Sequence, residues 1–410
     1  MQEITYIGDY MDSNESLRET PILPERILLG PGPSMVNPII MEAMMTPMIG
    51  YLDPDFMDII DEVSTLLGKA YRSSGTSMAL TGTGSSGMEA GLSSILEPGD
   101  TVIICAYGYF CERMVEMAQR LGANVVPLRS EWGKPFPEES LERELKHHRN
   151  VKMVSAIHGE TSTGIEQPLN NIAALTEEYE TLLMVDAVTT FGGTVIETDD
   201  LGIDYIYSAT QKCVGAPPGL SPVSLSDRAL SSIRSRTQKP FSWYLDLDLI
   251  TNYWKKPRAY HHTTPVSLIM AVRKSLEMML KEGLEARSKR HKDNANALIA
   301  GLESMGLKPV APPEHRLAQI TPVWIPEGVD DDFVRSTLLN EYNIEIGKGL
   351  GNLSGKVWRI GLMGESSKKA HVLALLNGLG DILPNTGFNV DKNTAMRSAE
   401  AIYAAVPSNI

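Results

Sequence analysis

The sequence predicts an α/β protein in which a mostly parallel sheet forms a large domain and a smaller α+β domain follows it. Strand-like and helix-like segments alternate through residues 75–225, the pattern of a parallel sheet with crossover helices. Two apolar runs in that stretch read as buried strands and end in residues that carry chemistry. Leu182-Leu183-Met184-Val185 ends in Asp186, and Tyr205-Ile206-Tyr207-Ser208 leads to Lys212, before Gly215, Pro217, Pro218 and Gly219 break the chain. From residue 307 onward shorter strands and helices alternate, which marks the second domain. The expected division is an arm over 1–24, a large domain over 25–284, a small domain over 285–385 and a helical tail over 386–410.

Composition narrows the function. The 410 residues suffice for two domains, and 42% apolar with 21% charged residues describe an ordinary globular chain. Lys plus Arg number 37 against 51 Asp plus Glu, a net charge of −14 that argues against nucleic acid or an anionic membrane as partner. Cys105, Cys111 and Cys213 form no CxxC pair, so neither a disulfide framework nor a thiolate metal site is expected. The acidic start lacks an apolar signal region, no run of 18 apolar residues occurs, and the final tripeptide is unlike a peroxisomal address. A cytoplasmic protein is the expectation.

Taken in order, Ile27-Leu28-Leu29 runs into a rigid Gly30-Pro31-Gly32-Pro33 turn. Residues 36–48 and Asp55 to Tyr71 carry helical spacing. Met78-Ala79-Leu80-Thr81 leads into Gly82-Thr83-Gly84-Ser85-Ser86-Gly87 and then a helix, a phosphate-binding arrangement whose GxGxxG letters alone are weak. A dinucleotide site requires an acid after the next strand, Thr101 to Cys105, to hold a ribose. Aromatics stand there instead, Tyr107, Tyr109 and Phe110, and such a residue stacks on a flat ring or simply packs. The next strand exit, His158-Gly159-Glu160-Thr161-Ser162-Thr163-Gly164, is polar, and His158 reads as a hydrogen-bonded structural residue. Residues 239–265 look turn-rich and irregular; the adjacent His261 and His262 point different ways and make a poor metal pair. Helices follow over Val266 to Lys281 and Glu285 to Met305. Arg359 lies inside the apolar strand Val357 to Leu362, where its planar fork seeks a carboxylate, either a substrate's or a structural partner's.

A buried acid and a buried amine at neighbouring strand exits are costly unless paired or used. Pyridoxal phosphate chemistry uses both: a lysine forms a Schiff base with the cofactor aldehyde, and an aspartate keeps the pyridine nitrogen protonated. By themselves the two residues also fit a turn-capping acid and a snorkelling surface lysine.

The order of these features resembles the fold-type I pyridoxal-phosphate enzymes, and most closely the class V aminotransferases of the alanine–glyoxylate (serine–pyruvate) group. The stretches that carry the resemblance are LLGPGPS at 28–34, LEPGD at 96–100, HGETSTG at 158–164, YSATQK at 207–212, APPG at 216–219, KPFSWYLD at 239–246, YHHTTPV at 260–266 and GKVWRIGLMG at 355–364. The resemblance implies a seven-stranded-type sheet and an obligate homodimer with shared active sites. It implies that Lys212 holds the cofactor and shuttles the proton, and that Asp186 pairs with the ring nitrogen. Phe110 and Val188 then flank the ring, Thr161 bonds its hydroxyl region, and Thr83, Gly84, Ser85 and Gln211 bind the phosphate. Tyr260 and Thr263 reach the partner's cofactor, Arg359 clamps the substrate carboxylate and Gly32 lines the substrate side. Ser85 and Phe110 depart from the histidine and tryptophan common in the group.

The implied reaction moves an amino group from L-alanine or L-serine to glyoxylate by a ping-pong route, with small amino acids and 2-oxo acids as substrates. Relatives that use 3-hydroxykynurenine or ureidoglycine keep the donor open. A class V lyase or desulfurase, a nicotinamide dehydrogenase and a non-catalytic binding protein are the remaining rivals.

Overall fold

A computed structural model describes residues 23–405, so the expected arm falls almost wholly outside the described residues, as do Val406 and the final tripeptide. The chain opens with β1 (Ile27–Leu29), α1 (Pro38–Met44) and α2 (Pro54–Tyr71). Then follow β2 (Thr76–Thr81), α3 (Gly84–Ile95), β3 (Thr101–Ala106), α4 (Tyr109–Arg120), β4 (Asn124–Arg129), α5 (Glu138–His147) and β5 (Val151–Ile157). A small hairpin, β6 (Gly159–Glu160) and β7 (Ile165–Glu166), precedes α6 (Asn170–Glu178), β8 (Leu182–Asp186), β9 (Tyr205–Tyr207) and β10 (Leu220–Leu225). Four helices come next: α7 (Asp227–Arg234), α8 (Leu247–Trp254), α9 (Val266–Glu282) and α10 (Leu284–Ser304). The chain closes with β11 (Ile320–Trp324), α11 (Asp331–Glu341), β12 (Ile344–Lys348), β13 (Val357–Gly361), α12 (Lys369–Ile382) and α13 (Lys392–Ala405).

The large sheet has seven strands in the order β2-β10-β9-β8-β5-β3-β4, parallel except for β10, which runs against both neighbours. The other six strands therefore point the same way and deliver their carboxyl ends to one edge, where ligands of open α/β sheets bind. Helix α3 lies close against this sheet because it is glycine-faced. A Cβ on Gly87 would stand 3.0 Å from the Cβ of Tyr207, so the glycines at the start of α3 serve packing as well as any phosphate.

The second sheet is β1-β12-β13-β11, and here the structure departs from the sequence reading. Ile27–Leu29 pairs in parallel with Ile344–Ile346, and Leu29 is buried in the small core rather than the large one. Three apolar residues carry no register of their own; a partner more than 300 residues away decides where they go. A second departure is α8, inside the stretch expected to be irregular. Asp246 caps it by accepting from Asp248 N at 3.0 Å and Leu249 N at 3.3 Å. The tail helix α13 docks on α10 and α12, burying Ala395 and Ala399 completely, and the Tyr403 hydroxyl meets Asn294 Oδ1 at 2.8 Å.

One face of α10 joins the two sheets. The Arg287 guanidinium donates to the carbonyls of Gly192 and Cys213, each at 2.7 Å, beside the Lys212 turn. Arg290 donates to the carbonyls of Gly364 at 3.1 Å and Ser367 at 2.7 Å, in the loop after β13. Glu282 pairs with both arginines at 2.6 Å. His291, fully buried between them, hydrogen-bonds the Arg287 carbonyl through Nδ1 at 2.7 Å and accepts the Gly364 N–H at Nε2, 3.0 Å away. Burial first, and then the Arg290 and Arg287 cations, push its pKa down to about 3. Folding therefore favours neutral His291. That contribution is complete above the unfolded value of about 6.5 and is lost as pH falls toward 3. Replacing His291 by Gln should flatten the fall of unfolding free energy between about pH 6.5 and pH 4 by up to ~1.4 kcal/mol per pH unit. Denaturant titrations at several pH values check this, and an unchanged slope would show that His291 does not stay neutral in the fold.

Candidate active site

The turns that leave β2, β3, β5, β8 and β9 enclose a partly open cleft, the concave kind of site in which small molecules and cofactors bind. Of the residues expected from sequence, Thr83, Gly84, Ser85, Phe110, Thr161, Asp186, Val188, Gln211 and Lys212 all line it. Thr83 is the N-cap of α3 yet makes no side-chain cap bond, which leaves the helix start open toward the cleft. Gln211 Oε1 is buried with no hydrogen-bond partner. The first N–H groups of α3, which have no intrahelical partner and no side-chain cap, are a donor set that fits a phosphate-bearing ligand.

Asp186 is 5% exposed at the end of β8. One oxygen accepts the Val188 N–H at 2.8 Å and the other the Tyr207 hydroxyl at 2.5 Å. Burial pushes its pKa up to about 6, against the downward pull of those two hydrogen bonds. Lys212 sits in a tight turn over Thr210–Val214, where its own φ of −104° and ψ of −129° leave the helix. Its amine reaches the carbonyl of Pro31, and the Ser34 hydroxyl donates to its backbone carbonyl at 2.8 Å. Burial, followed by the nearby Arg359 cation, pushes the Lys212 pKa down to about 8. Gly32, at φ +117°, explains how the amine finds room: a Cβ there would lie 2.7 Å from Nζ.

Arg359 comes from the small sheet, on β13, and is 6% exposed. Its Nε donates to the Lys348 carbonyl at 2.8 Å, and among the described residues no carboxylate forms an ion pair with it. Burial holds its pKa down to about 10. The structural salt bridge left open by the sequence is thus not made. Gly32 and Arg359 stand next to Lys212 without lining the cleft, and Tyr260 and Thr263 are not brought to it; these last two lie on an exposed loop, 3.4 Å apart through their hydroxyls. His261 and His262 on the same loop bond each other through Nδ1 at 2.6 Å.

Three neighbours of the cleft were not singled out from sequence. Glu160, fully buried, accepts from Phe110 N at 3.0 Å, Ser162 N at 2.9 Å and Ser162 Oγ at 2.7 Å, and so fixes the start of α4 and the Phe110 ring. Arg113, one turn beyond Phe110, lies over that ring at 4.8 Å and donates to Ser85 Oγ at 3.2 Å. Tyr207 is the phenol on Asp186. Only the spacing of Arg113 from Phe110 on one helix face offered a signal; the other two depend on contacts across strands.

Comparison with known proteins agrees with this geometry. Residues 74–360 match the family model of class V aminotransferases. The rabbit (Oryctolagus cuniculus) alanine–glyoxylate aminotransferase is 38% identical over 374 residues, covering 90% of this chain and 95% of that one. The crystal structure of the ureidoglycine–glyoxylate aminotransferase from Bacillus subtilis superposes with a TM-score of 0.92 at 37% identity, over 94% of this chain and all (100%) of that one. That of an alanine–glyoxylate aminotransferase from Nostoc sp. gives 0.87 at 43% identity, over 90% and 98%. The family match takes in every residue that lines the cleft, and the chain belongs to the class V aminotransferases, whose cofactor is pyridoxal 5′-phosphate.

Proposed function

We propose that the protein transfers an amino group to glyoxylate from L-alanine or L-serine, giving glycine and pyruvate or hydroxypyruvate, and works as a homodimer. The observation that carries this reading is the unpaired Arg359 beside the buried Lys212 amine, with Asp186 lining the same cleft. All three similar enzymes described above have glyoxylate in their names. A second reading, ureidoglycine as donor, is favoured by the full-length superposition on the Bacillus subtilis enzyme.

Bound pyridoxal phosphate would supply an electron sink for the charge left when a substrate loses its Cα proton, and would carry the amino group between half-reactions. The chain's own residues do the rest. Lys212, with its pKa near 8, is neutral in a useful fraction at physiological pH, so its Nζ takes the Cα proton and returns it. Ionised Asp186 would keep the ring nitrogen protonated, and Phe110 and Val188 would hold the ring between them. The start of α3, with Thr83, Gly84, Ser85 and Gln211, would hold the phosphate, while Thr161 would bond the ring hydroxyl. Arg359 grips the carboxylate common to donor and acceptor in a bidentate fork, which places Cα at Lys212.

The dimer accounts for Tyr260 and Thr263, which fit a partner's phosphate rather than their own cleft. The same loop region exposes Phe241, Trp243 and Tyr244, aromatic surface of the kind that interfaces cover. The rivals fit less well. Cys105, Cys111 and Cys213 are all buried, whereas a desulfurase needs a reachable thiol, and Phe110 stands where a dinucleotide site would place a ribose acid. Buried free thiols also suit a reducing compartment such as the cytoplasm.

Absorption spectra test the cycle. A yellow holoenzyme should bleach to the pyridoxamine form with L-alanine and recover with glyoxylate; a band that alanine leaves unmoved but ureidoglycine bleaches would transfer the function to the second reading. Lys212→Ala should abolish turnover yet leave a folded dimer. Arg359→Ala should raise KM for amino and keto acid alike by roughly 10- to 100-fold, the ~1.5–3 kcal/mol of a hydrogen bond to a charged group; a change in kcat alone would remove Arg359 from the carboxylate. Gly32→Ala, which crowds Nζ at a φ only glycine tolerates well, should lower kcat by an order of magnitude or more in steady-state assays.

A further inference from the structure

We infer that Tyr207 is a positioning residue for Asp186: its phenol donates to one carboxylate oxygen and thereby keeps the acid ionised and aimed into the cleft. This rests on Asp186 being the partner of the cofactor's ring nitrogen.

Strands β8 and β9 are adjacent and parallel, and Asp186 and Tyr207 are register partners, so both side chains lie on one face of the sheet. The Tyr207 hydroxyl stands 2.5 Å from Asp186 Oδ2, and Tyr207 is completely buried. Its place is fixed from below by α3, where Gly87 leaves the room that a Cβ would take. Three other tyrosines are fully buried in this part of the sheet, and each gives its hydroxyl to a backbone carbonyl: Tyr71 to Pro222 at 2.9 Å, Tyr205 to Gly87 at 2.7 Å, and Tyr107 to Ile157. Tyr207 alone of the four donates to a charge. An ionised carboxylate offers about four acceptor positions. The Val188 N–H and the phenol fill one on each oxygen, leaving others for a ligand.

The electrostatics explain why the bond matters. Asp186 is faced by the phenols of Tyr207, Tyr71 and Tyr107, by the buried Glu160 carboxyl and by the Lys212 amine. Burial and Glu160 favour the neutral acid; the phenol, the Val188 N–H and Lys212 favour the anion. The balance leaves Asp186 only just on the ionised side at neutral pH. Without the phenol the acid would hold its own proton there, and a protonated carboxyl cannot keep the ring nitrogen charged.

The test uses cofactor-free protein and reads the dissociation constant of pyridoxal phosphate by tryptophan-fluorescence quenching from about pH 5 to about pH 8.5. Affinity in the wild type should be full at high pH and fall as pH drops through the Asp186 pKa, near 6. In Tyr207→Phe that fall should move up by about one pH unit, weakening binding about twofold at pH 7 and close to tenfold at pH 5, with full recovery by pH 8.5. The carbocyclic analogue with CH in place of the ring nitrogen should bind both proteins alike. Added to Asp186→Asn, Tyr207→Phe should have no further effect, since the phenol acts through the carboxylate. A pH-independent loss in Tyr207→Phe, an equal loss for the analogue, or additive losses in the double variant would each overturn the inference and leave Tyr207 a packing residue. If wild-type protein does not bind pyridoxal phosphate, the cofactor reading itself fails, an outcome plainly different from a wild type that binds and a variant that behaves the same.

Discussion

The desolvation of Asp186 is the constraint from which most of the site follows. A carboxylate 5% exposed at the end of a parallel strand loses most of its hydration, and the interior returns only part of it. Direct offsets come from the Val188 N–H, two residues along its own turn, and the Tyr207 hydroxyl, one strand away. Lys212 is desolvated as well, and so is Arg359. All three groups are thereby shifted toward neutrality. The proposed roles use these shifts: a cationic ring would stabilise the Asp186 anion, a substrate carboxylate would stabilise the Arg359 cation, and the neutral Lys212 amine is the form that attacks an aldehyde.

The large sheet places these groups through its direction. Because six strands run the same way, residues as distant in sequence as Thr83, Phe110, Thr161, Asp186 and Lys212 reach one edge without any long excursion. That is also why so much of the site was legible. Apolar runs ended by Asp186, and followed closely by Lys212, are visible in a single sequence, and so are the glycines that open α3. Tyr207 and Glu160 were hidden for the opposite reason. Tyr207 stands inside an apolar run and acquires its role from a contact with the neighbouring strand, while Glu160 stands inside a polar turn and acquires its role from the first N–H groups of α4 and from Ser162. Likewise β1 is three apolar residues whose partner strand lies in the other sheet, a pairing that periodicity cannot reveal. Tyr260 and Thr263 were named from family resemblance alone, and they stand outside this cleft on an exposed aromatic loop.

Arg359 belongs to the small sheet while Lys212 belongs to the large one, so the site works only if the two sheets keep their relation. Helix α10 supplies the connection. Arg287 holds the carbonyls of Gly192 and Cys213, beside Lys212, while Arg290 and His291 hold Gly364, three residues beyond the end of the strand that carries Arg359. Gly364 itself fits at φ +54° against the Lys212 turn, where a Cβ would lie 3.1 Å from the Cys213 carbonyl and 3.2 Å from that of Lys212. Backbone carbonyls of the catalytic turn are therefore read from one side by an arginine and packed from the other by the small-sheet loop.

The same helix gives the tail a place in this arrangement. Asn294, one further turn along α10, donates to the Ser367 carbonyl at 3.0 Å and accepts from Tyr403 of α13 at 2.8 Å. Ser366, in the same loop, accepts the Met35 N–H at 3.0 Å, next to the Ser34 hydroxyl that holds the Lys212 carbonyl. From α13 to Lys212 there is thus a path in which hydrogen bonds alternate with single backbone steps, most of its groups buried. Buried polar networks tolerate little misplacement, because each unmet donor or acceptor costs free energy comparable to the bond it lost. A segment that looks like an appendage in sequence is joined, through Asn294 and the 364–367 loop, to the geometry of Lys212 itself.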